Sequence, residues 1–181
     1  MKTAVKTRSA FRHLAYSAIC LGLCMVLPFL TGQLPQIGNM LCPMHIPVLL
    51  CGYLCGPWWA MAVGLLAPSL RFLLFSMPPI LPKGLAMTFE LAAYGLTAGV
   101  LYREMPRKIR SLFLSLIGAM VVGRMVWGLA SFIIFNAMEL SFTWHYFLAE
   151  AVINAIPGIV VHILLIPTLV IALKSSKIID P

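Results

Sequence analysis

The chain has 181 residues, of which 61% are hydrophobic and only 10% charged, more apolar material than one soluble core of this length can bury. Its 13 Lys and Arg residues against 5 Asp and Glu give a net charge of +8, yet the basic residues lie in tails and loops between apolar stretches. Membrane topology accounts for that pattern, and no nucleic-acid interface is expected.

A spanning helix needs about 20 mainly apolar residues, so the length predicts an all-α membrane protein of six transmembrane helices, a single integral membrane domain over 1–181. Helix one is expected over 12–30, behind a basic start. No small-x-small cleavage site follows it and neither Cys20 nor Cys24 has the small preceding residue of a lipoprotein site, so it reads as a span rather than a signal. A polar loop over 32–43 carries Gln33, Gln36 and Asn39. Helix two, 44–56, is too short to cross unaided unless the bilayer thins around it. Gly56-Pro57 makes a tight turn into helix three, 58–75. A proline-rich loop leads to helix four, 84–102, and a basic connection to helix five, 111–135. After a loop over 136–143, helix six is expected over 144–173, with Pro157-Gly158 and Pro167 as kink points. The five cysteines lie in or beside apolar segments without zinc-site spacing and read as small buried hydrophobes.

Six crossings put both termini and the turns after helices two and four on one side. Lys2, Lys6, Arg8, Arg12, Arg103, Arg107, Lys108, Arg110, Lys174 and Lys177 all fall there, ten of the thirteen basic residues. That side is expected to be cytoplasmic. Trp58 and Trp59 read as anchors at its surface.

Setting histidine aside, four ionisable residues fall inside spans: Arg71, Glu90, Arg124 and Glu150. An unpaired charge at that depth costs several kcal/mol, so such residues turn into the bundle and pair or serve function. At about 1.5 Å per residue, Glu90 and Glu150 each lie about 9 Å below the outer start of their helices and Arg124 about 20 Å above its inner start. All four thus sit in the outer half. Tyr94, Trp127 and Asn154 reach the same level along their helices, and Asn39, His45, Asn136 and Trp144 lie at or beside the outer loops. Polar groups with aromatic walls predict a small-molecule cavity made by these eleven residues. The plainer alternative is that Arg71 pairs with Glu90 and Arg124 with Glu150 only to hold helices together. Met40, Cys42, Met44 and His45 also have the donor types of a soft-metal site, but methionine is a common interior filler and no metal is expected. His162 reads as a helix-packing hydrogen bond. No nucleotide-phosphate loop occurs, and no catalytic residues or cofactor are expected. Ala18 and Gly22 form a small-xxx-small pair that lets another helix approach closely.

The stretches Met44-His45-Ile46-Pro47-Val48-Leu49-Leu50-Cys51-Gly52 with Gly56-Pro57, Met77-Pro78-Pro79, and Glu90-Leu91-Ala92-Ala93-Tyr94-Gly95 resemble the S component, the substrate-binding membrane subunit, of energy-coupling factor (ECF) transporters. The resemblance implies a multi-pass protein of the bacterial plasma membrane that captures a vitamin-like substrate from outside, beneath gates at 33–43, 77–83 and 136–143. It also implies partners: a transmembrane T component carrying two ATPase subunits, against which the whole S component tips to release substrate. The family's Ala-xxx-Ala docking motif has its nearest match here at Ala18 and Gly22. The branch includes binders of pantothenate, pyridoxine-like compounds and queuosine precursors. An arginine unpaired with protein favours a carboxylate such as pantothenate, and an unpaired glutamate favours an amine. The alternatives are a membrane adaptor without ligand and a small intramembrane enzyme using Glu90 or Glu150 as base.

Overall fold

The computed structural model describes residues 2–31, 40–106 and 108–176, all of them helix, turn or connection, with no strand among them. Helix α1 (Lys2–Val26) tightens into a 3-10 turn at Leu27–Thr31, where Pro28 withholds an N–H from the regular ladder. Helix α2 (His45–Cys55) ends at Gly56, whose φ of 91° suits a residue without a side chain, and Pro57 then opens α3 (Pro57–Phe75). Ser76 closes α3 in the left-handed region, its N–H donating to the Phe72 carbonyl at 2.7 Å. A π-turn at Ile80–Gly84 leads into α4 (Leu85–Glu104), followed by α5 (Ile109–Ala137).

The last expected helix is divided. Helix α6 (Trp144–Leu148), capped by the Thr143 hydroxyl accepting from the Tyr146 N–H at 3.2 Å, runs into a π-turn at Ala149–Ile153 before α7 (Ile156–Ser175) begins with Pro157 in its first turn. Proline lacks the N–H that would carry the preceding ladder through, so the break falls ahead of it; Pro167 remains inside α7. The segments Ala10–Leu30, Pro57–Phe75, Ile80–Glu104, Ile109–Ala137 and Trp144–Ser175 are long and apolar enough to cross a membrane. Helix α2 has 11 residues, about 16 Å of rise, and falls well short of the roughly 30 Å hydrocarbon core.

Helix α4 is the centre of the bundle and packs against α2, α3 and α5. Its contact with α3 is backbone on backbone: a Cβ at Gly64 would lie 2.5 Å from the Leu91 carbonyl carbon, and one at Gly95 2.7 Å from the Ala60 carbonyl oxygen. Small residues supply this proximity because lipid gives helices no hydrophobic reason to associate and dispersion contacts must do so instead. One core joins Leu49, Tyr53, Tyr94, Leu116 and Ile166 across α2, α4, α5 and α7; a second joins Cys24, Val48, Cys51, Val63 and Leu91 across α1 to α4. All five cysteines are buried. Leu30, Leu73 and Met125 are among the large apolar side chains left facing outward, as a lipid-exposed surface requires.

Candidate functional site

Glu90, in the second turn of α4, is the hub of a buried polar group at the end of the bundle where α2 and α4 begin. Its Oε1 lies 3.0 Å from Arg124 Nη1 of α5 and 3.3 Å from Nε2 of His45, the first residue of α2. The same guanidinium donates from Nη2 to Cys42 Sγ at 3.6 Å. Cys42 precedes α2 with a φ of 47°, which turns its carbonyl toward two donors: the His45 N–H at 3.0 Å and His162 Nε2 of α7 at 3.3 Å. A carbonyl only accepts, so the His162 proton sits on Nε2. Tyr94, one turn below Glu90, stands edge-on to His45 at 4.9 Å, and the His45 and His162 rings are 6.0 Å apart. Gly123 makes room for Tyr94, since a Cβ there would fall 2.3 Å from the Tyr94 ring.

Three helices therefore meet on one carboxylate, and α7 joins the group through the Cys42 carbonyl. His45 is 2% exposed and the side chains of Glu90 and Arg124 are 3% and 18% exposed, so water replaces little of what these groups give one another. Three buried nitrogens, His45 Nδ1, His45 Nε2 and Arg124 Nε, find no hydrogen-bond partner among the described residues, although Nε2 stands within ion-pair distance of Glu90. Orphaned buried polar atoms are rare and mark places where a further partner belongs.

An aromatic wall lines the neighbouring side. Phe147 stacks between Trp127, at 6.2 Å and 25°, and Trp144, at 5.3 Å and 25°, against the opening left by Gly128. Glu150, half-buried in the π-turn one turn beyond Phe147, is within electrostatic reach of Cys42 and Tyr146 and makes no ion pair among the described residues. Asn154 is half-buried, and its N–H closes that turn on the Ala149 carbonyl at 2.8 Å.

The pairings differ from those weighed from the sequence. Arg124 pairs with Glu90, not Glu150, because α4 packs along α5. Arg71 joins neither carboxylate: it donates from Nη1 to the Met25 carbonyl at 2.6 Å and lies 5.3 Å from the centroids of both Phe29 and Phe75. There it satisfies the carbonyl released where α1 tightens. Asn136 is exposed and donates to the Phe132 carbonyl of its own helix at 2.7 Å. Asn39 and most of the 33–43 gate lie outside the described residues. Ala18 and Gly22 are exposed on α1, and a Cβ at Gly22 would meet open space. Among the described residues no three His, Cys, Asp or Glu side chains are grouped to hold a metal; His45 turns to Glu90 and Cys42 to Arg124 instead. Sequence reasoning weighed Cys42 only as a soft-metal donor, read His162 as a helix-packing hydrogen bond, which it makes with the Cys42 carbonyl, and gave Phe147 no role. A histidine within an apolar run was a signal for His162, whereas nothing in the sequence marked the Cys42 carbonyl as an acceptor.

No curated protein and no solved structure matches the chain significantly. The family described as ECF transporter, substrate-specific component, matches residues 12–170, a stretch that includes every residue of the polar group and the aromatic wall. The chain belongs to the family of ECF transporter substrate-specific components, multi-pass membrane subunits that bind substrate for a transporter and work with T and ATPase modules.

Proposed function

We propose that this protein captures a small, water-soluble micronutrient bearing a basic amine on a flat ring, of the queuosine-precursor kind, at the outer face of a bacterial plasma membrane. The observation that carries the choice is the state of the charges. Arg124 is engaged by Glu90 and Arg71 by the Met25 carbonyl, so neither is a ready partner for a carboxylate such as that of pantothenate. Glu150 is half-buried, makes no ion pair among the described residues and follows Phe147, the middle ring of the Trp127–Phe147–Trp144 stack, by one helical turn. A partly desolvated carboxylate favours a cation nearby, and stacked rings suit a planar ligand with cation–π character. His45, Tyr94 and Asn154 supply further hydrogen-bonding groups, and the Glu90–Arg124 pair is the floor that fixes α2, α4, α5 and α7 around the ligand.

The proposed topology has six crossings with both termini cytoplasmic. The short α2 completes its crossing with the residues before it, and the bilayer thins locally. The segments 33–43, 77–83 and 136–143 are the outer gates. Substrate passes inward when the subunit docks on a T component with two ATPases, and the open Ala18–Gly22 face of α1 is the docking surface.

The test is a thermal-shift and calorimetric panel on the detergent-purified protein with an amine-bearing queuosine precursor, pyridoxine and pantothenate. Stabilisation by the amine compound, lost in Glu150→Gln without a change in the melting temperature of the unliganded protein, is expected. Preference for pantothenate, or full affinity in Glu150→Gln, overturns the amine assignment. A panel in which nothing binds favours the adaptor reading.

A further inference from the structure

The opposite end of the bundle holds a cavity. Where α2 ends and α4 finishes, a cleft of about 430 Å³ opens between α1, the Gly56-Pro57 turn and the last turns of α4. Arg12, His13 and Arg103 line it together with Trp58, Trp59 and Tyr102, and none of its lining residues is acidic. Arg103 makes no ion pair among the described residues, and its neighbour Glu104 is exposed outside the lining. Tyr102 is 8% exposed, and its hydroxyl is buried without a hydrogen-bond partner among the described residues. Its ring lies beneath Lys174 Nζ at 5.2 Å, which adds a third cation to the same corner. Trp58, at 68% exposed, stands at the rim.

From this geometry we propose that the cleft binds the phosphodiester headgroup of an anionic phospholipid. Basic pockets between helices at the cytoplasmic surface attract such headgroups, tryptophans at the rim sit at headgroup level, and an arginine fork matches phosphate oxygens. The unpartnered Tyr102 hydroxyl gives a donor that a phosphate oxygen satisfies. The cleft is formed by the helix that carries Ala18 and Gly22 and by the α2–α3 turn, so an occupying lipid ties the inner end of α1 to the rest of the bundle. This assignment rests on the proposed cytoplasmic orientation of this end and is independent of the nature of the ligand at the other.

The experiment uses the full chain in detergent, titrated with short-chain phosphatidylglycerol, with phosphatidylcholine of the same chain length, and with inorganic phosphate, and read by native mass spectrometry and melting temperature. Phosphatidylglycerol is expected to bind with a preference on the order of tenfold over phosphatidylcholine, as two basic side chains at a membrane surface supply. Arg103→Gln removes that preference, and Tyr102→Phe, which keeps the ring and the packing, weakens it. Equal binding of the two lipids, or an unchanged preference in both variants, overturns the proposal. So does a stabilisation by inorganic phosphate that matches that of phosphatidylglycerol, since the source is then a free anion.

Discussion

Glu90→Gln preserves the shape of the side chain and removes its charge. Arg124, 18% exposed against 3% for Glu90, is then left inside the bundle without a counter-ion. Breaking a buried pair from one side costs about 3–5 kcal/mol. At about 2–4 °C per kcal/mol for a chain of this length, the melting temperature falls by roughly 6–20 °C. Arg124→Gln alone is milder, because His45 Nε2, 3.3 Å from Glu90 Oε1, still faces the carboxylate. The double substitution leaves two amides that hydrogen-bond to each other, so its loss is smaller than the sum of the single losses, with a coupling of roughly 2–3 kcal/mol. Tryptophan fluorescence during thermal unfolding of the detergent-purified variants reads the melting points, and circular dichroism checks that helix content is equal at the start. A Glu90→Gln protein that melts with the parent, or strictly additive losses, refutes the view that this pair holds α4 and α5 together.

Arg71→Met removes the donor to the Met25 carbonyl and the cation between Phe29 and Phe75; an expected loss of about 1–3 kcal/mol for the orphaned carbonyl, with ligand affinity unchanged in calorimetry, separates this arginine from the site. Gly64→Ala sets a methyl 2.5 Å from the Leu91 backbone, where no rotamer offers relief, and forcing the two helices apart costs about 1–3 kcal/mol or more, seen as a lower melting temperature and poor yield of monodisperse protein. Gly22→Trp fills a face on which a Cβ meets open space; stability and ligand binding stay as in the parent while co-purification with a T component and ATPases is lost. If co-purification persists, the docking face lies elsewhere.

The sequence carried the helix order well wherever proline and glycine punctuate it. The turn at Gly56-Pro57 and the end of α3 at Phe75 fall at or within one residue of their expected positions because each is a local backbone event. Helix α5 overruns the expected 111–135 at both ends, since neither end carries a strong stop signal. Pro157 announced the break ahead of α7, whereas the form it takes, a π-turn with the Asn154 N–H on the Ala149 carbonyl, carries no local sequence signal. For the buried charges, counting residues from the helix ends gave their height but not their facing. Glu90 and Glu150 lie equally deep, so depth was unable to choose between them as the partner of Arg124, and the lengthwise packing of α4 on α5 decided it. Arg71 has the right height and the wrong azimuth, because the carbonyl freed at the end of α1 lies on its side of α3.

The backbone contacts also limit how the site can open. At Gly64 and Gly95, α3 and α4 approach so closely that neither helix can slide or turn without collision, and Gly52 places α2 against the Gly95 carbonyl with a Cβ distance of only 3.0 Å. These three helices carry His45, Glu90 and Tyr94, so that part of the polar group moves as a unit. The aromatic wall is held differently. Trp127 and Trp144 stack on Phe147, which packs over Gly128, and Phe142 and Tyr146 lie edge-on or tilted against Phe132 and Phe135 of α5, on a segment where α6 is five residues long and is joined to α7 through a π-turn and a proline break. Pairs of this kind add only about 0.5–1.5 kcal/mol beyond the area they bury. On the proposed function, the prediction is that ligand enters by displacement of α6 and its turn from α5 while α2, α3 and α4 stay fixed: a disulfide that ties α6 to α5 then blocks binding in calorimetry, and unchanged binding refutes it.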